Sequence, residues 1–175
     1  LRNDVDNLIH IVGADAAGVV LAEAPQKAEI NTLVVDVGTN AEIVVGNSKR
    51  MLAASSPTGP AFEGAQISSG QRAAPGAIER IRIDKDTLEP CFRVIGVEQW
   101  SNEDGFDEAV KSTGITGICG SGIIEVLAEM YLSGILSTDG VIDGTVAART
   151  PRIEEDGRTF AYRVAENVVV TQNDV

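Results

Sequence analysis

The chain has 175 residues, 43% of them hydrophobic, enough for one ordinary domain with a buried core. Its formal charge of −12 repels phosphate backbones and anionic lipid, which excludes nucleic-acid and membrane-surface binding as leading functions. The 2 cysteines, Cys91 and Cys119, match no zinc pair, no C-x-x-C motif and no iron–sulfur quartet.

Asp15, Glu125 and Glu129 interrupt every apolar window before it reaches the roughly 20 residues of a membrane helix. No cationic stretch leads into an apolar run, so no secretory signal is visible. The chain starts at Leu1 rather than Met and reads as a piece of a longer polypeptide, one domain over residues 1–175.

Gly13–Ala24 is Ala-rich and predicts a short helix closed by Pro25. Thr32–Val37 is an almost continuous β-branched run, the pattern of a central strand buried on both faces. Gly38-Thr39-Asn40 then turns the chain, and Ala41–Val45 returns antiparallel. A second turn at Asn47–Lys49 leads into Arg50–Ala54, so a three-stranded meander follows. Ser55–Gly76 is irregular and rich in Gly, Pro, Ser and Ala; stretches of that length inside a domain are more often functional than filler.

Ile78–Ile83 and Cys91–Val97 read as strands around an Asp84–Pro90 turn. Residues 98–110 form an acidic excursion, read as a solvated face. Ile118–Ile124 leads into a helix with Ile123, Leu127, Met130 and Tyr131 on one stripe, stopped by Gly134. Thr159–Val164 and Val168–Thr171 make a further strand pair, and Gln172–Val175 looks like a helix start.

Asp36 is the sharpest chemical feature. An unpaired carboxylate inside an apolar strand costs several kcal/mol, so it needs a partner. One reading makes it a ligand of Mg²⁺, with the turn amides and the Thr39 hydroxyl cradling phosphate oxygens. The other makes it an Asx-type cap of the hairpin. Spacing alone does not choose between them.

Gly117-Ile-Cys-Gly-Ser-Gly122 opens a helix, where orphan N–H groups accept anions or lie against a nucleotide; close helix–sheet packing also selects glycine there. A Gly122→Val change is expected to weaken nucleotide binding before it weakens the fold. Glu63, set in Gly59-Pro-Ala-Phe-Glu-Gly-Ala65, either orients a ligand or metal-bound water or caps a short helix. His10 and Trp100 are assigned no chemistry, and the cysteines read as buried small hydrophobes.

Taken in order, Asp36-Val-Gly-Thr-Asn40, Gly59–Ala65, Ala74-Pro-Gly-Ala-Ile78 and Gly117–Gly122 resemble the C-terminal region of the reductive activators of corrinoid proteins. These are ferredoxin-linked members of the actin, sugar-kinase and chaperone ATPase superfamily. The resemblance implies an α/β fold, one lobe of an actin-like (ribonuclease H-like) ATPase, with a mixed sheet, a β-meander and flanking helices. It implies that Asp36, Gly38, Thr39 and Asn40 belong to a phosphate-binding hairpin, with Asp36 toward Mg²⁺. Gly117, Gly120, Ser121 and Gly122 match the adenosine-side loop, while Gly59 and Glu63 complete the set. Many relatives are expected to carry cysteine before the glycine in Ile67–Arg72, where this chain has Ser69-Gly70.

The implied activity uses ATP to drive an electron from a [2Fe-2S] domain to the Co(II) of a corrinoid protein in a methyltransferase system, giving Co(I). The cluster and the first phosphate hairpin are expected elsewhere in the parent chain, so the fragment by itself is expected to be inactive. The partner is a corrinoid protein, the setting cytoplasmic, the candidate assembly a homodimer, with no nucleic acid and no membrane. Two alternatives stand beside this: a non-catalytic docking module with weak or no nucleotide binding, and a small-molecule kinase of the same superfamily.

Overall fold

Helical residues 16–23 (α1) end where Ala24 takes a left-handed φ of 49° ahead of the one-turn Pro25–Lys27 segment. The computed structural model describes residues 16–38 and 40–175, with Phe62 described by its backbone alone. His10, Thr39 and the Gly13–Asp15 start of the predicted helix lie outside the described residues. The described residues gather into two compact units, one ending at Gly59 and the other Pro60–Val175.

In the first unit, β1 (Thr32–Val37), β2 (Asn40–Gly46) and β3 (Met51–Pro57) form the expected antiparallel meander, in the order β1-β2-β3. Asn47 accepts from the amides of Lys49 (2.9 Å) and Arg50 (3.3 Å) and so tightens the second turn. Ala16 and Val20 of α1 bury Val44, with Val34, Met51 and Ala53 around them.

The expectation of a central strand buried on both faces is corrected here. β1 is an edge strand with alternating burial, and Leu33, Val35 and Val37 are 63%, 48% and 57% exposed. Composition records which residues tolerate burial, and only the neighbours decide whether burial happens. α1 supplies cover for one face; Leu33, Val45 and Leu52 share a row on the other and remain exposed.

In the second unit, β4 (Ala77–Ile83) lies between β5 (Pro90–Val94), antiparallel to it, and β6 (Gly117–Ile118), parallel to it, which gives the mixed sheet. A short helix, α2 (Phe106–Ala109), pins the acidic excursion through Phe106, whose ring meets Phe92 edge-on at 5.9 Å, while its carboxylates stay exposed. Helix α3 (Gly120–Leu132) packs on β4. Its buried stripe is Gly122, Ile123, Val126 and Met130, and Tyr131 is 51% exposed, so the predicted stripe is off by one position at its end. At 100° per residue, Tyr131 turns away from the face Met130 occupies. Gly134, at φ 78°, ends the helix as expected.

The third sheet, in the order β7-β8-β9, joins β7 (Ile153–Asp156), β8 (Thr159–Ala165) and β9 (Val168–Thr171). β7 was not anticipated because Ile153-Glu-Glu-Asp156 has low strand propensity; Arg163 on β8 holds it by pairing with Glu154. Gln172–Asp174 does begin a helical turn, with a capping box between Thr171 and Asp174.

Tyr162 is the largest fully buried side chain, and its hydroxyl donates to the Leu88 carbonyl at 2.8 Å. Leu88 itself sits at φ 62° with no exposed surface. Tyr162→Phe leaves that carbonyl without its donor, so unfolding free energy should drop by about 1–3 kcal/mol in urea titrations. An unchanged urea midpoint would mean that water reaches Leu88.

Candidate functional site

The β1–β2 hairpin turns tightly, with the Gly38 amide donating to the Asn40 carbonyl at 2.9 Å. The Thr58 hydroxyl donates to the Gly38 carbonyl, which ties the segment leading to Gly59 to the same turn. Asp36, Gly38, Asn40 and Gly59 therefore share one end of the first unit. Gly59 has φ 78° and open space around it, so its backbone explains its identity. Gly38 is different: a Cβ there would meet only the Asn40 carbonyl at 3.7 Å, and its φ is not left-handed. Among the described residues, neither packing nor a left-handed φ asks for glycine at 38.

Asp36 is half-buried and stands directly opposite Glu42 in the ladder, with Ser55 next in the row. Such partners have Cβ atoms about 4.5–5.5 Å apart, and like charges so placed repel. Ser55 donates to Glu42 (3.3 Å), whereas Asp36 has no hydrogen-bond or ion-pair partner among the described residues. No described amide caps against it, so the Asx-cap reading finds no support there. A carboxylate pair beside a glycine turn suits Mg²⁺, which takes one or two carboxylates and fills its shell with water and phosphate oxygens. Among the described residues no group of three or more His, Cys, Asp or Glu could hold a metal without such help. Glu42 went unnoticed in the sequence, although a turn centred on residue 39 places 36 opposite 42.

In the second unit, Gly117 lies in β6, and Gly120, Ser121 and Gly122 form the first turn of α3. The helix has neither a side-chain cap at Cys119 nor an acidic residue in its first turn. Its own first turn thus supplies no anion to the leading amides or to the positive end of its dipole. The glycines at 117 and 122 have packing reasons. A Cβ at 117 would come within 2.7 Å of Ser69 and Gln71 oxygens; one at 122 would lie 2.5 Å from the Ile78 carbonyl and 2.8 Å from Ile118. The expectation that a side chain at 122 would first obstruct a ligand is corrected accordingly: it would first collide with β4. The exposed Ser121 donates to the Glu79 carbonyl at 3.0 Å.

Glu63 ends the Pro60–Glu63 turn, which packs beside α3, and is exposed. Ser69, where a cysteine was expected in relatives, bonds both the amide and the carbonyl of Val169 at 3.0 Å, a structural tie to β9. Both cysteines are free thiols, Cys119 buried and Cys91 donating to Asn102 at 2.9 Å. Two such residues do not make the donor set of a [2Fe-2S] cluster, which takes four ligands.

Known proteins give this geometry a context. A corrinoid activation enzyme, RamQ, of Eubacterium limosum is 30% identical over 94% of this chain and 27% of its own length. The [Co(II) methylated amine-specific corrinoid protein] reductase of Methanosarcina barkeri is 32% identical over 95% of this chain and 33% of its own. A solved structure, the reductive activator for corrinoid, iron-sulfur protein, superposes with a TM-score of 0.74 and 32% identity, covering 93% of this chain and 24% of that one. The chain thus spans about a quarter to a third of the length of these relatives. Residues 30–175 match the family described as the C-terminal domain of RACo, the ASKHA domain, and on that match, with its α/β fold of small sheets and helices, the chain belongs to this family.

Proposed function

We propose that the chain is one nucleotide-binding lobe of a longer ATP-dependent activator that reduces the Co(II) of a corrinoid protein to Co(I). The observation that carries the reading is the hairpin end: a glycine with no structural reason at 38, flanked by the opposed carboxylates Asp36 and Glu42. The relatives' names, each concerned with corrinoid activation or reduction, support the substrate side.

In this reading the Gly38–Asn40 turn, with Thr39, presents backbone amides to phosphate oxygens, and Asp36 holds Mg²⁺ directly or through water. Bound Mg²⁺ would neutralise charge on the β- and γ-phosphates. The Gly117–Gly122 turn, with Gly120 and Ser121 foremost, serves the adenosine, and Glu63 and Gly59 are assigned to ligand binding as well. Closure of the lobes on nucleotide supplies free energy for a low-potential electron transfer only through differential binding of the open and closed states. The electron itself comes from a [2Fe-2S] domain of the parent chain, and the product is one-electron-reduced cobalt.

Among the described residues no helix is long and apolar enough to cross a bilayer.

The test uses the full-length parent with a corrinoid protein and a low-potential electron donor, following cobalt by its absorption. Co(I) should accumulate only with Mg²⁺-ATP. Equal accumulation without nucleotide would remove ATP from the function. The 175-residue chain alone should release no phosphate from ATP, because charge stabilisation from one side of the γ-phosphate is a fraction of what transfer requires. Robust turnover by the isolated chain would place the whole active site within it.

A further inference from the structure

Among the described residues, β6 covers only Ala77 and Ile78 of β4, and the rest of that edge, Glu79–Ile83, has no strand beside it. Unpaired edge groups either bind water, recruit another strand or are capped by side chains. Here they are capped, in sequence, by one helix. The backbone ladder runs through the Cys119 amide, which donates to the Ile78 carbonyl at 3.0 Å. Ser121 then donates to the Glu79 carbonyl at 3.0 Å. Glu125 Oε2 accepts from the Ile81 amide at 2.8 Å, and Glu129 Oε2 from the Ile83 amide at 3.0 Å.

The spacing explains why one stripe of a helix can do this. Residues 121, 125 and 129 are four apart, about 6 Å of helix rise at each step. Residues 79, 81 and 83 are two apart, about 6.6 Å of strand. The mismatch per step is smaller than the reach of a glutamate side chain, so α3 runs alongside β4 in matched register. Arg80 Nε and Arg82 Nη1 close the remaining side of Glu125, at 2.7 and 2.8 Å. Burial alone would raise the Glu125 pKa, but the donors from Ile81, Arg82 and Arg80 outweigh it and hold this carboxyl below its ordinary range.

We propose that Ser121, Glu125 and Glu129 are positioning residues that set the height of α3 along β4, and with it the place of the Gly117–Gly122 turn. The proposal rests on the reading of that turn as the adenosine side of a nucleotide site. Sliding the helix by one turn would break all three side-chain bonds together, so the register has discrete positions and no graded ones. Deleting the two carboxylates leaves the Ile81 and Ile83 amides uncapped and frees the turn to drift.

The test compares the full-length wild type with the Glu125→Ala/Glu129→Ala double variant, Glu125→Gln, and Met130→Ala as a control for stability. Met130 is fully buried and takes no part in the capping, so its truncation lowers Tm through a cavity alone. Fluorescent mant-ATP with Mg²⁺ reports affinity, and amide exchange of a peptide spanning residues 79–84 reports the edge. The double variant should bind mant-ATP about tenfold more weakly, since small misplacements at a site are costly. Its 79–84 peptide should exchange faster. Glu125→Gln, which keeps an oxygen for the Ile81 amide, should recover most of the affinity, and Met130→Ala should leave affinity unchanged.

Faster exchange with unchanged affinity in the double variant would overturn the positioning role while leaving the nucleotide site standing. Equal weakening by Met130→Ala would overturn it too, by reducing the effect to general loosening. Failure of the wild type to bind mant-ATP at all would refute the nucleotide reading instead. In that case exchange alone judges the register: protection lost in the double variant supports it, and protection retained overturns it.

Discussion

Asp36→Asn is expected to abolish ATP-driven cobalt reduction by the full-length protein while leaving its melting temperature unchanged or raised. The two halves of this result come from one geometry. Asp36 and Glu42 face each other across β1 and β2 with no described cation beside Asp36. Neutralising one carboxylate relieves a like-charge pair, a gain of a few tenths to about 1 kcal/mol without nucleotide. With nucleotide, the same change removes the anionic ligand that would fix Mg²⁺ against the phosphates. Loss of one preorganised electrostatic element at such a centre lowers rates by on the order of 10²–10³-fold. The alternative role predicts retained activity, because Asn caps a hairpin about as well as Asp. A cobalt-reduction time course therefore separates the two, with a thermal melt of the apo protein to show that the variant is folded.

The second large effect is on stability. Gly122→Val should lower unfolding free energy by roughly 1–3 kcal/mol or more, the range for overpacked cores. The added Cβ would stand 2.5 Å from the Ile78 carbonyl, which already accepts the Cys119 amide, and 2.8 Å from Ile118. Both neighbours belong to the sheet, and neither is the free end of a flexible chain. α3 must lift from β4, and the whole 121/125/129 capping would lift with it. Nucleotide affinity per folded molecule would then fall as a consequence of the shift, and Tm would fall first. A preserved Tm with weakened mant-ATP binding would return residue 122 to the ligand surface.

Local chemistry was legible residue by residue. The meander, its two turns and its register follow from a β-branched run, a Gly-Thr-Asn turn and an Asn-Ser-Lys turn, all short-range features. The α3 helix, its glycine stop and the capping of Gln172–Asp174 are of the same kind. The Asp36 and Gly38 pair stood out because a carboxylate in an apolar strand and a glycine beside it both ask for a reason.

What resisted reading depends on partners outside the segment itself. β7 is a strand because it pairs along its length with β8 and buries Ile153 in the core, which its own four residues do not show. Gly122 and Gly38 look alike as letters, yet one is held by the Ile78 carbonyl and the other meets almost nothing. The sequence by itself determined the periodicities, the turns and the family-wide set of glycine motifs, because these rest on backbone sterics and neighbours within a few residues. Only the tertiary structure decided that β1 lies at an edge and that Glu125 and Glu129 close the β4 edge. Those outcomes depend on which surfaces meet, and hydrogen bonds and burial between distant segments exist only once the chain has folded.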